Sequence, residues 1–211
     1  TFDLAVPTFR HKEYAQYKAT RVKAPQELYD QIPRVKDLVR AFNIPIYEQE
    51  GFEADDVIGT VAAKLTHRPI KTIIVTGDMD TLQLVDEQTS VYTLKQGIGE
   101  TSIYGPDEVR ERYGGLGPDQ MIDYKALRGD PSDNIIGIKG IGEKTATILI
   151  TKFGGIDGIY KTLKKDKAKF TAVGMTPRII ELIENGEEDA RFSKVLATIR
   201  RDAPIDWKLP E

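Results

Sequence analysis

No cysteine occurs in the 211 residues. That removes disulfides, thiolate zinc sites and a cysteine nucleophile, and it fits a reducing cytoplasm. Histidine is nearly absent too: His11 and His67 are the two present, too few for a histidine-rich metal site. No apolar run approaches the roughly 20 residues of a membrane span, and no signal peptide is visible. Nor is there an excess of basic charge, since 30 Lys and Arg face 33 Asp and Glu for a net charge of −3. Taken alone, that balance argues weakly against a nucleic-acid partner. An initiating Met is also lacking. The chain opens on Thr1 and FDLAVP, which reads like the end of a strand, so a preceding segment is expected. What is there suffices for a sizeable core: 40% of the residues are hydrophobic, enough for one domain or two tightly joined subdomains.

Charge distribution says more than its sum. Acids cluster in EADD, GDMD and GDPSD, while bases crowd into RHKEYAQYKATRVK and KTLKKDKAKF. Clustered acids neutralised by a divalent metal leave the remaining surface free to attract phosphate. Along the chain, residues 10–21 are polar, aromatic and basic, without a clean apolar stripe. Leu28, Ile32, Val35, Leu38, Val39 and Phe42 fall at helical spacing, with Pro33 expected to kink that helix or move its start. Ile44 to Tyr47 reads as a short strand, and Ala54 to Leu65 as a helix with acids in its first turn. KTIIVT, residues 71–76, is a β-branched run expected to form a strand buried on both faces, and Val91 to Leu94 is a further strand candidate. PDEVRERY and PDQMIDYKAL both place Pro at a helix start. From Gly129 onward only helices and turns are expected. Strands alternating with helices, followed by helices alone, predict a parallel α/β sheet and a helical subdomain.

The acids form three groups. Glu53, Asp55 and Asp56 lie within four residues, with Glu53 and Asp56 on one helix face; Asp78 and Asp80 directly follow KTIIVT; Asp130 and Asp133 stand among turn formers. Asp3 follows the opening apolar stretch. Each group alone also has a plainer reading, as a helix start favoured by the macrodipole or as turn chemistry. Together they differ, because that many converging carboxylates repel one another unless cations lie between them. Ligands ending beyond strand carboxyl ends are where open parallel sheets build sites. Oxygen-only ligands favour Mg²⁺ or Mn²⁺, and a two-metal site suits phosphodiester hydrolysis.

GIKGIGEKTA supplies Gly137, Gly140 and Gly142 ahead of a helix expected from about Glu143. Glycines allow close backbone approach, and amides at a helix start favour an anion. The spacing is not that of a P-loop. It resembles the helix–hairpin–helix class, whose turns hold DNA phosphates without reading bases; a tight helix–helix connection is the plainer alternative.

As a set, FDLAVPTFRHKEYAQYKATR, EADDVIGT, TGDMDTLQLV and GDPSDNIIGIKGIGEKTA resemble the flap endonuclease family of 5′ nucleases, in the form found at the N-terminus of bacterial DNA polymerase I. The resemblance covers almost the whole chain. It implies a mostly parallel, Rossmann-like sheet flanked by helices over residues 1–128, and a helical subdomain over 129–211 with a helix–hairpin–helix-type motif at 137–150. It implies that Asp3, Glu53, Asp55, Asp56, Asp78, Asp80, Asp130 and Asp133 surround two metal ions, Mg²⁺ or Mn²⁺. Residues 10–21 become a helical gateway in which Arg10, Lys18 and Arg21 meet phosphates and Tyr17 stacks on a base. Gly137, Gly140, Gly142, Lys144 and Thr145 become the duplex anchor, with K⁺ on backbone carbonyls. The family carries a further strand and metal-binding Asp upstream of Asp3, so this stretch alone is expected to be poorly active. The activity implied is hydrolysis near the 5′ end of nicked, flapped or branched DNA by a monomer of the bacterial cytoplasm and nucleoid, with a polymerase domain following in the same chain. A stand-alone 5′-3′ exonuclease and a catalytically silent DNA-structure-binding module are the alternatives.

Overall fold

The computed structural model describes residues 1–96 and 100–209. Ten α-helices and three strands are assigned among them. The first part carries α1 (Phe9–Glu13), α2 (Gln26–Ala41), α3 (Ala54–Leu65), β1 (Thr72–Val75), β2 (Thr89–Gln96), β3 (Glu100–Tyr104), α4 (Pro106–Arg112) and α5 (Met121–Arg128). A 3₁₀ helix over Met79–Leu84 follows β1. The second part is helical: α6 (Glu143–Phe153), α7 (Ile156–Lys165), α8 (Ala168–Ala172), α9 (Pro177–Asn185) and α10 (Glu187–Ala197). No helix among the described residues is long and apolar enough to cross a membrane.

The sheet order is β1-β2-β3. β1 and β2 pair in parallel, with Ile74 opposite Val91, while β2 and β3 pair antiparallel, with Tyr92 opposite Ile103. The sheet is therefore mixed, and β3 was not anticipated: Ile103 is the one large aliphatic residue in ETSIY, too little for a periodic signal. Ile44 to Tyr47 forms no strand. KTIIVT is a strand but is not buried on both faces. Ile74 is 5% exposed, whereas Ile73 and Val75 are 60% and 73% exposed. The helix at 26–41 continues through Pro33 without a break, and none of its side chains is buried.

The main core lies elsewhere. Ile74, Leu82 and Val91 from the sheet region pack with Tyr124 and Leu127 of α5, and this cluster is continuous with Leu149, Ile159 and Ile183 of α6, α7 and α9. One apolar mass thus spans both parts, and α5 is the hinge of the packing. The apolar side of α2 (Leu28, Val35, Leu38, Phe42) stays outside it. Phe42, 70% exposed, is expected to tolerate Phe42→Ser within about 0.5 kcal/mol. Leu127→Ala, at a position with no exposure, is expected to cost about 2–5 kcal/mol. Urea unfolding of the 211-residue chain checks both.

Candidate active site

The site begins at the N-terminus of α3. Glu53 is its N-cap, and Asp56, one turn in, accepts the Glu53 amide at 2.9 Å. Asp56 is fully buried, and its two oxygens accept four bonds: from Glu53 N, from Arg200 N at 2.8 Å, and from the two terminal nitrogens of Arg10 at 2.8 and 2.9 Å. Arg10 is 2% exposed. Its remaining N–H groups reach Leu196 O at 2.8 Å, Thr198 O at 2.7 Å and Glu53 Oε2 at 3.3 Å. A guanidinium has five donors, and all are used inside the protein. Burial alone would lower the Arg10 pKa, but Asp56 and Glu53 raise it, so the charge is permanent. Two expectations change here. Arg10 has no donor left for a phosphate, and Asp56 has no free lone pair for a metal. Both are structural groups whose mutual satisfaction could be seen only once the chain was folded.

The segment after α1 forms turns, not a second helix. Tyr17 is 4% exposed, and its hydroxyl donates to Glu53 Oε2 and Asp133 Oδ2, both at 3.1 Å. Burial first, then the two carboxylates, push its pKa up. It therefore stands as a bridge between acids and offers no face to a base. Lys18, at positive φ, donates to Glu53 Oε1 at 2.7 Å. Arg21, half exposed, pairs with Asp133. These two cations lie against Glu53 and Asp133, with Arg21 open to solvent.

A further cation, Lys125 of α5, was missed by the sequence reading. Its ammonium pairs with Asp80 and lies 2.6 Å from Asp130 Oδ2. Burial would raise the Asp130 pKa, but the bonds from Lys125 and Ser132 hold it at about 2. Asp80 moves the other way: burial pushes it up, against the pull of Lys125. The signal available was KALRGD, in which a Lys five residues before Asp130 closes back across a helix end. Asp78 caps the 3₁₀ helix by accepting Asp80 N at 2.9 Å. Asp3 accepts Ala54 N at 2.6 Å.

Asp55 differs from its neighbours. Its Oδ1 is buried with no hydrogen-bond partner among the described residues. Burial first, and then Asp56, raise its pKa to about 7, with Arg10 opposing. Asp3, Glu53, Asp55 and Asp78 line one cavity of about 570 Å³ with Lys18 and Arg21. Among the described residues no three acids are gathered closely enough to hold an ion as they stand. Protein cations separate them instead, through Arg10, Lys18, Arg21 and Lys125. The donor set still fits a hard cation. A desolvated carboxylate oxygen without a proton donor is what such an ion satisfies, and Asp3 and Asp78 open on the same space.

The glycine-rich turn follows Asp133. Gly137 and Gly140 have φ of 62° and 95°. A Cβ on Gly137 would lie 2.2 Å from the Gly129 nitrogen, so Gly137 is demanded by its own fold. Gly142 is different: its φ is −97°, and nothing lies within 4 Å of its Cβ position. Its backbone is thus open to any residue, and a side chain there meets only what approaches from solvent. Lys144 is exposed, and Thr145 half-buried, in the first turn of α6.

An α/β part joined to a helical part, with acids at their junction, is the class these features define. A family model for the 5′-3′ exonuclease N-terminal resolvase-like domain matches residues 1–114, and one for the 5′-3′ exonuclease C-terminal SAM fold matches residues 116–211. The chain belongs to the 5′-3′ exonuclease family. It is 45% identical over 204 residues to DNA polymerase I of Chloroflexus aurantiacus, covering 96% of this chain and 21% of that protein. It is 40% identical to the 5′-3′ exonuclease of Mycoplasma pneumoniae, covering 98% of this chain and 68% of that one. The chain thus spans about a fifth of the polymerase relatives' length. Its fold resembles the zinc-bound T5 5′-exonuclease, with a TM-score of 0.75 and 23% identity over 92% of this chain and 71% of that one.

The Asp55 shift carries a pH consequence. A folded-state pKa of about 7 against the ordinary 3.8 of an aspartate means that, between those values, the folded chain holds a proton that the unfolded chain has released. Metal-free stability is then full below the lower value and falls as pH rises toward the higher one. Asp55→Asn should melt above the wild type in chelator, by a margin that widens up to about pH 7. Melting curves at several pH values check this.

Proposed function

We propose that the chain is a divalent-metal-dependent 5′ nuclease that hydrolyses phosphodiester bonds near the 5′ end of nicked, flapped or branched duplex DNA. The observation that carries this is Asp55, an orphaned carboxylate facing a cavity shared with Asp3 and Asp78. Asp3, Glu53, Asp55 and Asp78 would hold one Mg²⁺ or Mn²⁺, and Asp80, Asp130 and Asp133 a second. Such ions supply positive charge against the charge that develops on the scissile phosphate. The chain's own groups do the rest. Lys18 and Arg21 attract the phosphate over the acids, and Lys125 holds Asp80 and Asp130 apart from mutual repulsion. Gly142, Lys144 and Thr145 anchor the duplex backbone, with K⁺ on hairpin carbonyls. Residues 1–128 act as the nuclease core and 129–211 as the duplex-holding part. The relatives named DNA polymerase I support a polymerase partner in the same polypeptide, and a monomer of the bacterial cytoplasm and nucleoid is part of the same proposal. A silent DNA-structure-binding module is the second reading, favoured by the fact that Arg10, Lys18, Arg21 and Lys125 already pair the acids.

Asp130→Asn separates the two. For a nuclease, it should greatly reduce cleavage of a 5′-flapped duplex in Mg²⁺ while leaving flap affinity within several-fold. Wild-type-rate cleavage by Asp130→Asn would remove that residue from the metal site, and a wild-type protein that binds without cutting would favour the silent module.

The hairpin role has its own measurement. Lys144→Ala should weaken duplex binding similarly across sequences and lower the log–log salt slope by about 1. Gly142→Ala should leave the melting temperature unchanged, since its Cβ has open space, yet weaken duplex binding. A loss confined to one sequence, or an unchanged slope, would reduce the hairpin to a helix–helix connection.

A further inference from the structure

After α10 the chain does not end its work. Residues 198–203 leave α10 without regular secondary structure and lie against α3 and the 3₁₀ helix, and side chains from the first part hold their backbone and that of the last turn of α10. Arg10 donates to Leu196 O at 2.8 Å and Thr198 O at 2.7 Å. Gln83, 5% exposed, donates to Ala197 O at 3.0 Å and accepts from Ile199 N at 2.9 Å. Asp56 accepts from Arg200 N at 2.8 Å, and Thr60 Oγ1 from Ala203 N at 2.9 Å. Gly59 makes room, because a Cβ there would lie 2.8 Å from both Arg200 O and Ile199 Cγ2. These contacts hold the main chain of this strap, while Ile199 packs its side chain into the main core and Arg201 donates to Gln83 O at 3.0 Å.

The same strap touches both functional regions. At its start, Leu196 and Ala197 pack with Tyr17 and Ile135, and Tyr14 stands edge-on to Phe192 of α10 at 5.7 Å. That holds the turns carrying Lys18 from behind. One turn earlier, Ser193 Oγ accepts Gly137 N at 2.9 Å, and Lys194 lies 2.7 Å from Asp123 of α5. α10 thus grips the hairpin through Ser193, and the strap grips Glu53 through Arg10 and Asp56. Both grips are buried, and they lie within ten residues of one another along one chain.

We propose that α10 and the strap act as a ruler. They fix the distance between the duplex-anchoring hairpin and the acid site, so that the hydrolysed bond falls at one set position from the anchor. Arg10, Asp56 and Gln83 are then positioning residues. The ruler function rests on the nuclease reading above; the mechanical coupling does not. Gly59→Ala and Gln83→Met loosen the strap from outside the acid set. Gly59→Ala is helix-favouring, so its effect on the strap is a matter of space, and Gln83→Met removes two hydrogen bonds at similar volume.

Two readouts decide the matter. The first is product length on a 5′-end-labelled flapped duplex in Mg²⁺. A dominant single cut by the wild type should spread over neighbouring positions in both variants, with flap affinity unchanged. The second is hydrogen exchange, which needs no activity. Amides of residues 14–21 should exchange about tenfold faster in the variants, while those of α6 stay as in the wild type. A single unchanged cut position in both variants would overturn the ruler. Faster exchange confined to residues 196–203 would overturn the coupling itself. If the wild type cuts nothing, the nuclease reading and the ruler fall with it, and exchange in the gateway turns alone decides whether the strap couples the two regions.

Discussion

The rest of the structure depends on a buried ion pair, Arg10 with Asp56. Taking two charges out of water is costly, and mutual attraction repays that cost only when every donor and acceptor finds a partner. Here the pair shares no unsatisfied atom: Arg10 also meets Glu53 and two strap carbonyls, and Asp56 also meets two amides. Three segments far apart in sequence, 8–21, 53–60 and 196–203, are joined at that point. Removing one partner would leave the other charged and buried, which typically costs about 3–5 kcal/mol. An interaction of that kind places groups, and what it places is Glu53.

Around this centre, charge is sorted by pairing. The chain's net charge of −3 conceals acids crowded into a small region with Lys18, Arg21 and Lys125 among them. Each cation lets its carboxylates stay ionised while close together. Among the described residues Asp3, Asp55 and Asp78 have no such cation; at Asp55 burial without a donor raises the pKa, and burial also pushes Asp80 up against Lys125. A site whose acids are mostly held by protein cations, with one left unsatisfied, is arranged to accept positive charge and to keep its shape without it.

The hairpin shows two uses of glycine side by side. Gly137 is required by the protein's own packing, since any side chain would run into Gly129. Gly142 has no such neighbour and an ordinary extended backbone. A side chain there would meet no protein atom within 4 Å among the described residues. A sequence motif presents the two as equivalent, and the fold separates them.

By itself the sequence determined the class of fold, the helix at 54–65, the helix starts marked by Pro106 and Pro118, and the all-helical second part. Those are local or compositional signals: caps, periodicity, turn formers and spacing along one element. The family resemblance lay in the same short motifs. Only the tertiary structure decided that Asp56 and Arg10 satisfy each other, that Tyr17 is buried between acids, that Lys125 joins Asp80 to Asp130, and that the strap is held by Arg10, Asp56 and Gln83. It also decided that Ile73 and Val75 stand on an open strand edge and that Ile44 to Tyr47 is not a strand. The physical reason is the same in each case. Whether a charged or polar side chain faces a ligand or a neighbour depends on which distant donor reaches it first, and separations of 46 residues for Arg10–Asp56 and 144 for Asp56–Arg200 leave no trace in local pattern.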